Sequence, residues 1–140
     1  MKRLLLLALL VAAACTSSRP LVNTNAPVIR VPHDGERIGS LRMVHAEGSV
    51  PEGRIGIFAV EPLNASPTIW IQPFAPSVSG GPVSATIYLG TLTVGGGEHY
   101  RIYLLACKAN HGLRVGEETT LQQIQPVCEW GRPVTVYRER

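Results

Sequence analysis

Residues 97–106 read GEHYRIYLLA. A glycine opens the run at a turn, a tyrosine follows, and the residues alternate before becoming wholly apolar. Extended to HYRIYLLACKA at 99–109, the stretch is rich in β-branched, aromatic and aliphatic residues and predicts a strand. The same signal recurs outward in both directions. VIRV at 28–31 precedes the turn PHDGER, and RIGIFAV at 54–60 is apolar almost throughout, as a central strand would be. TIWIQPF at 68–74, SATIYLGTL at 84–92 and PVTVYRER at 133–140 complete the clear runs. SLRMVHAEG at 40–48 alternates, with Leu41, Met43 and His45 on one face and Arg42, Val44 and Ala46 on the other, so His45 is expected to be partly buried. In the last run Val134, Val136 and Arg138 oppose Thr135 and Tyr137. Short strands separated by Gly, Pro, Asn and Ser predict an all-β sandwich or barrel.

One helical segment interrupts them. EETTLQQIQ at 117–125 has Glu118 or Thr119 as a cap, Leu121 and Ile124 on one face, and Pro126 as a stop. It falls between the last two strands and between Cys107 and Cys128.

The turn–Tyr100–alternation pattern resembles the tyrosine corner of immunoglobulin-like and fibronectin-type sandwiches, in which the tyrosine hydroxyl returns to a backbone group a few residues upstream. Ile102 stands where antibodies have cysteine, so the resemblance is to the wider class. PHDG at 32–35, RIGIFAV at 54–60, WIQP at 70–73 and TIYLG at 86–90 are together similar to small immunoglobulin-like modules of bacterial surface and envelope proteins. This resemblance implies a sandwich of about seven strands over residues 27–140, with the short helix inserted before the last strand. It implies binding, spacing or scaffolding and no reaction.

The N-terminus predicts export. Lys2 and Arg3 form a basic start, Leu4–Val11 an apolar stretch, and Ala12-Ala13-Ala14 a small-residue end. The apolar run is too short to span a bilayer, which takes about 20 residues. Val11-Ala12-Ala13-Ala14-Cys15 resembles a bacterial lipobox, with Ala12 where that pattern prefers Leu. The resemblance implies a signal peptide over 1–14, a lipidated Cys15, and a tether over 15–26, with the membrane as partner through the lipid. It places the protein at the cell envelope. In a host with two membranes, Thr16 in place of the Asp that retains such proteins points to the outer membrane, facing the periplasm. Cleavage after an ordinary A-x-A site, leaving Cys15 as the first residue of a soluble secreted or periplasmic protein, is the alternative. The formal charge of +3 includes Lys2 and Arg3. No basic run exists beyond them, which removes the main support for nucleic-acid binding.

With Cys15 set aside, Cys107 and Cys128 remain as a pair, and an oxidising compartment favours a disulfide between them over two separate buried thiols. Cys107, His111 and Cys128 have permissible zinc spacing but lack an evident fourth ligand, so neither metal nor cofactor is expected. A cysteine nucleophile would need a histidine and an orienting group. Serine hydrolysis would need G-x-S-x-G, which Ser79-Gly80-Gly81 does not supply. The triplets SGG at 79–81 and GGG at 95–97 read as turns, since neither precedes a helix carrying Lys-Ser/Thr. Asn64-Ala65-Ser66 is a sequon usable only in a eukaryotic secretory route.

Trp70, Phe74 and Trp130 are the candidate binding surface, with core packing as the competing fate of each. The expected role is non-catalytic: a lipid-anchored sandwich offered to an envelope protein or a glycan. The alternatives are an envelope metal-binding protein or enzyme using Cys107, His111 and Cys128, and an inhibitor of a secreted hydrolase that inserts residues 108–131.

Overall fold

The computed structural model describes residues 25–75 and 80–140. The expected signal peptide over 1–14, Cys15 and most of the expected tether over 15–26 lie outside the described residues, as does Pro76-Ser77-Val78-Ser79.

The fold is all-β, built as a sandwich of two sheets. Among the described residues ten strands run in chain order: β1 Val28–Val31, β2 Arg37–Ile38, β3 Met43–Val50, β4 Ile55–Pro62, β5 Thr68–Ile71, β6 Gly81–Tyr88, β7 Glu98–Cys107, β8 Glu118–Thr120, β9 Cys128–Trp130 and β10 Val134–Arg138. Three are additional to the expected seven. β2, β8 and β9 are two or three residues long, too short to carry a period that sequence alone could reveal.

The smaller sheet has the order β1-β3-β6. The larger has the order β2-β10-β7-β4-β5-β8, with β9 also paired to β7. β9 and β10 lie along the same side of β7, one beyond the other. Trp130 pairs with Leu105 and Val134 with Ile102, so Gly131-Arg132-Pro133 inserts one extra residue between them.

β4 and β7 are buried on both faces, which explains their nearly unbroken apolar runs. Phe58, Val60, Tyr100, Ile102 and Leu104 face the smaller sheet and pack with Ala46, Ile87 and Leu89. Gly56 permits the close approach of the sheets, because a Cβ there would collide with the Val83 side chain. Ile55, Ile57, Ala59, Tyr103 and Leu105 point the other way, into a second core closed by Ile124, Cys128, Leu121, Val127 and Trp130. The segment between β7 and β10 thus forms a third layer.

The helix of this layer, α1, covers only Leu121–Ile124. Glu118 and Thr119 do not cap it, because they belong to β8, where Thr119 pairs with Ile69 and Glu118 with Trp70. Thr120 is the N-cap: its hydroxyl accepts from the Gln123 amide at 3.3 Å, and the Gln123 side chain accepts from the Thr120 amide at 3.2 Å. The helix is followed by β9 and only then by the last strand.

His45 is exposed rather than partly buried. In β3 the inward residues are Ala46, Gly48 and Val50, while Met43, His45 and Glu47 face solvent. His45 Nε2 lies 2.7 Å from Glu47 Oε1.

A candidate binding groove

β5 pairs with β4 so that Trp70 stands opposite Val60, on the face turned toward the smaller sheet. That sheet is only three strands wide and ends at β6. The larger sheet continues past its edge through β5 and β8, so Trp70 is uncovered and remains 41% exposed. The result is a groove of about 300 Å³ lined by Val60, Pro62, Trp70, Gln72, Tyr88 and Thr91, among others.

Gln72 fixes the groove's width. It is buried, and its backbone N–H and side-chain amide are bonded: the backbone amide donates to the Phe58 carbonyl at 2.9 Å and Nε2 to the Trp70 carbonyl at 3.2 Å. Its Oε1 accepts from the Tyr88 amide at 2.8 Å, which ties β6 to the strand carrying Trp70. The Arg42 guanidinium lies over the Tyr88 ring, 5.5 Å from its centroid.

The floor is Tyr100. Its hydroxyl donates to the Gly95 carbonyl at 3.0 Å, five residues upstream. Gly95 has φ +99° and no room for a Cβ, which would meet that hydroxyl. Burial pushes the Tyr100 phenol above its ordinary value, with the nearby Arg138 guanidinium opposing. Arg138 is itself 3% exposed, lies against the Tyr100 hydroxyl and donates to backbone carbonyls. Nη1 donates to Leu89, Thr91 and Val94 carbonyls at 2.6, 2.8 and 3.1 Å, and Nε and Nη2 donate to the Ser40 carbonyl at 3.3 and 3.2 Å.

Phe74 and Trp130 do not share this surface. Both are half-buried against the second core, and Phe74 sets its ring edge-on to His111 at 5.5 Å. Cys107 and Cys128 form a disulfide between directly opposed residues of β7 and β9, with Cα atoms 4.1 Å apart. Both sulfurs are therefore committed, and His111 Nδ1 accepts from the Leu113 amide at 2.8 Å. Among the described residues, no three His, Cys, Asp or Glu side chains are grouped so as to hold a metal ion. The insertion at 108–131 lies against the larger sheet through Leu113, Leu121, Ile124 and Val127.

One polar cluster had no sequence signal beyond a lone acid ending an apolar strand. Glu61, 3% exposed, accepts from Ser66 Oγ at 2.5 Å, from Arg101 Nη1 at 3.1 Å and from the Tyr103 hydroxyl at 3.1 Å. Burial pushes the Tyr103 phenol up, with the Arg101 hydrogen bond opposing. Ser66 is held by an acceptor-only carboxylate and has no histidine beside it among the contacts formed, so the cluster fastens the 63–67 turn to β7. The histidines stay apart: His33 lies by Glu36, His45 by Glu47, and His99 packs on Tyr137 at 5.0 Å. No protein-family model, curated protein or solved structure matches the chain.

Proposed function

We propose that this chain is a lipid-anchored protein of the bacterial cell envelope that presents an immunoglobulin-like sandwich as a non-catalytic binding module. The groove beside β6 carries the binding part of the reading. There the larger sheet outruns the smaller one and leaves Trp70 facing solvent next to Tyr88. A rigid aromatic held in a concave site is the kind of group that dominates recognition surfaces. The tyrosine corner at Tyr100 and Gly95 supports the kinship with immunoglobulin-like modules. The lipobox-like run ending at Cys15 supports the anchor. The partner is an envelope protein or a glycan.

Two measurements test the reading. Intact mass of the protein recovered from bacterial envelopes is expected to show residues 1–14 removed and acyl groups on Cys15. An unmodified Cys15 sinks the anchor. In envelope extracts, Trp70→Ala is expected to reduce recovery of the co-purifying component at least tenfold while leaving the thermal midpoint unchanged. Equal recovery by both forms removes the groove from the function.

A further inference from the structure

Most of the exposed large apolar side chains lie toward one end of the sandwich, Val28 and Val115 excepted. Leu41, just before β3, is 72% exposed, and Leu92 and Val94, in the turn between β6 and β7, are 77% and 66% exposed. Met43 and Tyr88 stand opposite each other across β3 and β6 and are exposed beside them. Arg138 holds the two loops together, because its guanidinium donates to Ser40 in the first and to Leu89, Thr91 and Val94 in the second. The second loop is further closed by the Thr91 amide donating to the Val94 carbonyl at 2.9 Å and the Val94 amide donating to Thr91 Oγ1 at 3.0 Å. Leu92 is thus held at a fixed apex, and no apolar neighbour covers it.

The charge at this end is one-sided. Residues 39–43 and 89–97 contain no Asp or Glu. Arg37 is paired with Glu139, and Glu98 stands in register with Arg138. Arg42 and Arg140 remain, and Arg42 sits on the Tyr88 ring.

We propose that this end docks on an anionic phospholipid surface, with Leu41, Leu92 and Val94 entering the acyl boundary and Arg42 meeting phosphate headgroups. The chemistry matches that of a bilayer interface: the aliphatic Leu41, Leu92 and Val94 are the most exposed, Tyr88 and Trp70 less so, with Arg42 on the Tyr88 ring. A protein interface of this kind would centre on Trp, Tyr and Arg, since Leu and Val are under-represented among its dominant residues. Here the aliphatic residues are the most exposed.

The chain's path is compatible. Val28 pairs with Ser49, at the opposite end of β3 from Met43, so the chain enters about 20 Å from the apolar end at 3.3 Å per residue. Ten residues from Cys15 to Asn25 reach at most about 35 Å. An anchored Cys15 therefore leaves this end able to meet the same leaflet. The loops carry the proposal without the anchor.

The test uses the full chain with Cys15→Ser, so that no N-terminal lipid intervenes, and an environment-sensitive fluorophore on Leu92→Cys, with the native disulfide kept oxidised. Vesicles of phosphatidylglycerol and phosphatidylethanolamine are expected to raise the emission at least threefold and shift it to the blue. Leu41→Ser and Arg42→Ala should each weaken the response about fivefold, and a probe at Val115→Cys should not respond. Matching near-ultraviolet circular dichroism ensures that folded forms are compared. The proposal is overturned by a silent probe at 92, by equal responses at 92 and 115, or by an equal response to phosphatidylcholine vesicles. Emission that rises with protein concentration alone would assign this end to a second copy of the chain instead.

Discussion

The Arg138 guanidinium reaches from the last strand of the larger sheet to the Leu89 carbonyl at the end of the smaller one, at 2.6 Å. A buried arginine beside the Tyr100 hydroxyl is stable here because its fork of donors matches carbonyls converging from Ser40, Leu89, Thr91 and Val94. Arg138→Met leaves these carbonyls without their donor and is expected to cost about 3 kcal/mol in urea unfolding. Arg138→Lys should recover less than half of that, because one ammonium cannot span the fork. A loss under about 0.5 kcal/mol, the usual scale of an ordinary surface change, would show the clasp to be dispensable.

Tyr100 and Tyr103 both have phenols raised above 10.0, chiefly by burial. A raised phenol favours the neutral form in the folded state. The stability it contributes is complete below the unfolded value of 10.0 and is lost as pH rises through the folded value. Unfolding free energy is therefore expected to fall above about pH 10. Tyr100→Phe should cost about 1 kcal/mol at neutral pH through the lost bond to Gly95, and should flatten the alkaline decline. An unchanged alkaline slope in this variant would remove Tyr100 from the effect.

The Cys107–Cys128 disulfide closes a loop with a sequence separation of 21. Loop-closure entropy gives about 3 kcal/mol for a crosslink of this span. Cys107→Ala with Cys128→Ala is expected to lower unfolding free energy by that amount. Hydrogen exchange should rise first in 108–130, since that layer is held through the second core, while Ile102 and Val136 stay protected. Uniform loosening of both cores would contradict this division.

Glu61 collects Ser66, Arg101 and Tyr103 around one buried carboxylate. Glu61→Ala removes the shared acceptor and should cost about 2 kcal/mol. A double-mutant cycle with Arg101→Ala is expected to give a coupling near 1 kcal/mol, because Tyr103 and Ser66 still satisfy the carboxylate when the arginine goes. Additive losses would mean that the pair at 3.1 Å contributes nothing of its own.

Local pattern made much of the sheet legible. HYRIYLLAC and RIGIFAV are apolar on both sides of the strand because both faces are covered. The alternation of Val134, Val136 and Arg138 places all three inward in the structure. Where both faces of a run carry apolar residues and only one is covered, the pattern misleads. Met43 and Leu41 suggested a buried face that is the solvent face, and His45 went with them. The segment EETTLQQIQ looked helical throughout, yet its first part is claimed by the edge of β5.

The sequence by itself determined the class of fold and the positions of the long strands, and it made a Cys107–Cys128 disulfide the favoured reading once Cys15 was set aside. These follow from side-chain periodicity and from residue counts, which are local or nearly so. Only the tertiary structure decided that the larger sheet is covered on both faces, that Trp70 is left at an uncovered edge while Phe74 and Trp130 are packed away, and that Arg138 and Glu61 act as internal fasteners. Those outcomes depend on sheet widths and on acceptors brought from 40 to 98 residues away. Backbone carbonyls carry no residue identity, so no reading along the chain could have assigned them to Arg138.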